Sequence, residues 1–201
     1  MSELAGAAIT REQFLLREMQ AACQLHEEGL SHEEIVEKIK TENLIQYPTE
    51  RMVGNIARVC CKRIAAVDSE RIVHIIATGM PEAAAQANLY AMMRTYPLVR
   101  NFMMEVVAKK FQELDYTLGP TEMNAYMTRL QVEYDNIAQI AESTMGKIKR
   151  VLRKCLVECG MLASARSDEL VPVLVDLDVR EAIEEKNDTD ALRAFGCQGV
   201  N

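Results

Sequence analysis

At 201 residues, with 49% hydrophobic and 26% charged side chains, the chain has the composition of an ordinary globular protein, which excludes disorder as its main state. Its formal net charge of -7 excludes a protein coated uniformly in positive charge, and no apolar run approaches the roughly 18 residues needed to span a bilayer. The N-terminal MSELAGAAITREQ has neither a basic n-region nor an apolar h-region, so the expected compartment is the cytoplasm, without membrane insertion.

Taken in chain order, the sequence reads as helix after helix. Thr10 to Gln13 and Ser31 to Glu34 both have capping-box spacing, which predicts helices over 11–28 and 32–43. Further apolar periodicity predicts helices over 49–66, 69–78, 82–95, 98–114, 121–134 and 143–159, with a short one before Ser143. Gly29, Gly79 and Gly160 each close an apolar segment, as expected of left-handed C-terminal caps. Pro81 and Pro120 stand where a first helical turn tolerates a missing N–H. After Gly160, a short apolar piece, a polar turn at 165–168 and the run Leu170 to Val175 predict a β-hairpin. Two small acidic helices follow, in LDVREAIEEKN and DTDALRAF. The expected fold is mainly all-α: a helical bundle with two helix-turn-helix-like units, the C-terminal one carrying the hairpin as a wing. The expected regions are 1–79, 80–134 and 135–201.

Charge is segregated along this chain. Residues 49–66 carry one acid and four bases, and 143–163 carry one acid and five bases, so two positive islands stand in acidic surroundings. Both contain the pattern G-x-I-x-R-V-x-x-K, as GNIARVCCK at 54–62 and GKIKRVLRK at 146–154. Common ancestry or chance in helical sequence would each produce so short a repeat, but in either case two helices share one plan.

In the later copy Ile148, Val151, Leu152, Cys155, Leu156 and Cys159 form a stripe that must be buried. The opposite stripe is Ser143, Gly146, Arg150, Arg153 and Lys154, flanked by Lys147 and Lys149. A basic ridge with a small residue near its N-terminal end suits a helix that approaches a sugar-phosphate backbone. The earlier copy offers Arg51, Asn55, Arg58 and Lys62 on its outer stripe. The competing reading of either stripe is a solvated face. Aromatic residues make up 5% and there is no Trp, so stacking platforms for single strands are poorly supplied and double-stranded DNA is the better-matched partner.

Catalytic signals are weak. His26, His32 and His74 are isolated, Cys155 and Cys159 lack a second ligand pair, and neither a phosphate loop nor a nucleophile elbow is present. The six cysteines lack paired spacing and read as small buried hydrophobes. No enzyme activity, metal, cofactor or small-molecule substrate is expected. Met92, Met93, Met103 and Met104 read as core filler first, or as an adaptable surface for a protein partner.

The segments ITREQFLLREMQAACQLHEEGLSHEEI, ENLIQ, NLYAMMRTYPLVRNFMMEVVAKKF and ESTMGKIKRVLRKCLVECGML, in that order, resemble successive blocks of the BrxA family of bacterial BREX phage-defence systems. The similarity spans roughly residues 8 to 195. It implies an all-helical protein with helix-turn-helix character, DNA binding of low sequence specificity and other BREX proteins as partners. It supplies no catalytic residues, so the basic positions above rest on the charge reading. The alternative role is an adaptor docking on another component of the system through the Met-rich helices.

Overall fold

The computed structural model describes residues 3–197, and they form two compact units assembled from non-consecutive segments. One unit takes 15–95 and 176–187. The other takes the N-terminal segment through Phe14, then 96–175, then the segment from Asp188. Parts of the sequence-based end regions, residues 1–2 and 198–201, lie outside the described residues.

In the first unit the helices are α1 (Leu16–Glu27), α2 (His32–Glu42), α3 (Glu50–Val67), α4 (Glu70–Thr78) and α5 (Pro81–Thr95). The Ser31 capping box forms: Glu34 donates its N–H to Ser31 Oγ at 3.3 Å, and the Ser31 N–H donates to Glu34 Oε2 at 2.8 Å. Those bonds from Ser31 hold the Glu34 carboxyl below its ordinary pKa. The capping box expected at Thr10 does not form. Thr10 ends a 3-10 turn, Ala7–Thr10, and its hydroxyl donates to the Ala7 carbonyl at 3.0 Å, so it cannot cap a helix that begins only at Leu16. Ile9 and Phe14 are buried in the other unit, and α1 starts where the chain leaves it. Gly29 and Gly160 have φ of 87° and 74°, as a left-handed cap requires, but Gly79 is extended at φ -66°, ψ 165°. Pro81 opens α5 two residues later, after Met80.

Helix α5 is buried without interruption from Ala83 to Met93, and it packs on α3 and α4. Its alanines let those neighbours approach closely, which is why it shows no polar face. Helix α11 (Leu177–Glu185) packs on the same core, burying Val179, Ala182 and Ile183 against α4 and α5. Asp176 caps it, and Arg71 of α4 pairs with Asp178, Glu181 and Glu185 along its length at 2.9, 2.5 and 2.7 Å.

The second unit holds a continuous helical run in three parts: α6 (Pro97–Phe102), a π-helical stretch (Met103–Ala108) and α7 (Lys109–Gln112). The π-helical stretch packs against a 3-10 helix, Thr189–Phe195, where the sequence predicts an acidic α-helix. Then come α8 (Pro120–Glu133), the single turn α9 (Asp135–Ala138) and α10 (Glu142–Glu158). The stripe predicted to be buried on α10 is buried at every position, joined by Met145.

The predicted wing is absent. No strand occurs among the described residues, and the segment contributes one isolated antiparallel bridge, Thr117 to Glu169. The run Leu170 to Val175 has no regular secondary structure, and its backbone donors go to separate places: Leu170 to the Tyr116 carbonyl, Val171 to Met161 and Val173 to Phe195. Pro172 has no N–H to give, so a regular ladder cannot form along this run. In place of a hairpin, a side chain organises the turn. The Arg153 guanidinium donates to the carbonyls of Leu118 at 2.6 Å, Ala165 at 3.1 Å and Ser167, and pairs with Asp168 at 3.5 Å. Its side chain is only 12% exposed.

Two outcomes follow from this packing. Arg153→Ala leaves the carbonyls of buried Leu118 and half-buried Ser167 without their donor, and should cost about 1–3 kcal/mol of stability in denaturant titration. Burial pushes the thiol of Cys61 up to about 11 and that of Cys60 up to about 12, and raises those of Cys23 and Cys159 as well. A colourimetric thiol titration at pH 8 should therefore register Cys197 quickly and the five buried cysteines only after denaturation.

Candidate nucleic-acid interface

The ridge of α10 is built by the burial of its opposite face. With Ile148, Leu152, Cys155 and Leu156 each 1% exposed or less, the helix cannot rotate, and Lys147, Arg150 and Lys154 are held outward. No described carboxylate comes within ion-pairing distance of Lys147 or Arg150, whereas Lys154 has Glu158 at 3.8 Å one turn on. The 3-10 turn Ala7–Thr10 packs beside α10, and between them runs a cleft of 410 Å³ lined by Thr10, Gln13, Lys147, Arg150, Val151 and Lys154. Three cations, a hydroxyl and an amide thus line one depression with no acidic residue among them, which suits a polyanion.

Five cations of this helix were candidates from the sequence, and the structure separates them. Lys147, Arg150 and Lys154 share the cleft. Lys149 lies on the opposite flank, donating to Asn124 Oδ1 of α8 at 2.8 Å. Arg153 is committed to the 165–168 turn, with its donors directed at carbonyls of the chain itself. Neighbouring side chains in linear sequence therefore have different tasks. Thr10 and Gln13 were not foreseen as cleft residues, because nothing local in their sequence marks a contact more than 130 positions away.

In the other unit, Arg51, Asn55, Arg58 and Lys62 are all exposed along one face of α3, as their spacing requires. Arg58 Nη1 donates to Asn55 Oδ1 at 3.1 Å. Lys40 of α2 pairs with Glu50 at 2.8 Å, so the one acid at the start of α3 is engaged, and its pKa is lowered by that bond. Helices α2 and α3 pack together, and Arg58 and Lys62 border a groove of 470 Å³ with His32, Glu33, Val36, Cys61 and Ala65. Glu33 makes this groove less uniformly positive than the cleft on α10.

Other candidate chemistry is not assembled. His74 and His26 face Glu27 and Glu70 at 2.6 and 3.4 Å between α1 and α4, and the Thr78 hydroxyl near His74, at 3.4 Å, also donates to the His74 carbonyl of its own helix. Among the described residues no three His, Cys, Asp or Glu side chains are grouped to hold a metal ion, and no helix is long and apolar enough to cross a membrane. Of the four methionines of the adaptor reading, Met92, Met93 and Met103 are buried to 1% exposure or less, and Met104 is half-buried.

The chain is similar over nearly its whole length to known proteins. A BREX protein BrxA of Bacillus cereus (strain H3081.97) is 28% identical over 183 residues, covering 90% of this chain and 91% of the relative. A crystal structure of an uncharacterized protein from Magnetospirillum magneticum superposes with a TM-score of 0.81 at 19% identity, covering 95% of this chain and 97% of the other, so the fold is shared. The BrxA family profile matches residues 6–187, which include the cleft residues Thr10, Gln13, Lys147, Arg150 and Lys154, and the chain belongs to the BrxA family.

Proposed function

We propose that this protein is a non-enzymatic, cytoplasmic DNA-binding component of a BREX phage-defence system, working beside other BREX proteins. It grips duplex DNA by its backbone, with low sequence specificity. The observation that carries this reading is the α10 cleft, where Lys147, Arg150 and Lys154 stand together without an acidic lining residue in a chain of net charge -7. An acidic protein that leaves Lys147 and Arg150 without a carboxylate partner has a surface matched to an external polyanion. In this reading α8, the one-turn α9 and α10 act as a helix-turn-helix with α10 as the inserting helix, and α2 with α3 acts as a second, weaker one. The family membership and the printed name of the Bacillus relative support the BREX setting.

Backbone contacts release condensed counterions, so the logarithm of affinity should fall with the logarithm of salt at about -0.9 per neutralised phosphate. Arg150→Ala combined with Lys154→Ala should make that slope shallower by roughly two and weaken binding about equally on unrelated duplexes, read by fluorescence anisotropy at several salt concentrations. An unchanged slope in a variant still folded by circular dichroism would make the ridge a solvated face. Arg58→Ala with Lys62→Ala should give a smaller loss in the same assay; no loss would restrict DNA contact to the α10 unit.

A further inference from the structure

Gly146 lies in the second turn of α10, where glycine is a poorer helix former than alanine. Glycine inside a helix is explained when a packed neighbour needs the space. Here none does: a Cβ placed on Gly146 meets no atom within 4 Å. Even Arg150, whose Nε donates to the Gly146 carbonyl at 3.3 Å, stays out of that space. The matching glycine of α3 differs, since a Cβ on buried Gly54 would touch Lys40 Cδ at 3.6 Å and Arg58 Nη1 at 3.8 Å.

Two clefts flank this bare point. On one side is the cationic cleft of Lys147, Arg150 and Lys154. On the other, between α8 and α10, is a cleft of 450 Å³ in which Asn124, Thr128 and Gln131 offer uncharged donors and acceptors while Glu142 offsets Lys149. Farther along α10 Arg153 is taken up by the 165–168 turn, whereas the turn that carries Gly146 is bare between the two clefts. The phosphates belong on the cationic side, because the other cleft has no net charge to attract them.

We infer that Gly146 is the point at which one sugar-phosphate strand of duplex DNA crosses α10 in van der Waals contact. Its phosphates lie toward Lys147, Arg150 and Lys154, and its sugar and base edges toward Asn124, Thr128 and Gln131. This inference rests on the DNA-binding reading above and adds the path of the strand and the inserting end of the helix.

The test exploits two effects of opposite sign. In Gly146→Ala and Gly146→Gln the open space accepts the new side chain and the helix gains propensity, so the melting temperature should rise by about 2–4 °C. Affinity for a short labelled duplex should nevertheless fall about fivefold for Ala and about twentyfold for Gln, with an unchanged salt slope because no cation is lost. Asn124→Ala with Gln131→Ala, on the exposed face of α8, should also weaken binding without altering the slope. Gly146 variants that are more heat-stable and bind as tightly as the parent would overturn the strand path, while the DNA-binding reading would stand. A parent chain that binds no duplex at all would overturn both.

Discussion

A backbone carbonyl taken out of water needs a donor, and that of buried Leu118 finds one in the guanidinium of Arg153, on which the carbonyls of Ala165 and Ser167 also converge. That convergence ties α10 to the segment before α8 and to the turn after Gly160. It substitutes for the ladder hydrogen bonds that a wing would supply. A planar side chain with five donors can satisfy several carbonyls from one point, which a lysine could not do. Once this anchor is in place, Arg153 is withdrawn from the α10 ridge, and Lys147, Arg150 and Lys154 are the cations held outward.

The same economy governs the charges elsewhere. The three carboxylates of α11 at Asp178, Glu181 and Glu185 are gathered by Arg71, and Lys186 pairs with Asp68 at 2.8 Å. In that unit acid is matched with base at short range. On α10 the pairing stops: Lys147 and Arg150 meet no described carboxylate, and Glu158 serves Lys154. The net charge of the chain therefore says little about its surface, since most acids are spent on neighbours or face away from the cleft. What a polyanion meets is the local field, which low-dielectric cleft walls focus.

Much of the architecture was legible in the linear sequence for a plain reason: helical periodicity and caps are local. Ser31 and Glu34 make their box, Pro81 and Pro120 open their helices, and the buried stripe of α10 follows its spacing residue by residue. Local signals failed where a local bond competed with them or where a distant partner was needed. Thr10 gave its hydroxyl to its own 3-10 turn, and the β-branched run after Glu169 found separate backbone partners where a strand would have paired with one.

By itself the sequence determined the helical class, the two cationic helices and which face of each must be buried, because each is set by residues within a few turns of one another. Tertiary structure alone decided what each cation does. Lys149 turns to Asn124, Arg153 is consumed by three carbonyls, and Lys147, Arg150 and Lys154 gain Thr10 and Gln13 as neighbours from the far end of the chain. Spacing along a helix assigns a side chain to a face, but its partners come from whichever segment packs there, and that depends on the burial of the whole unit.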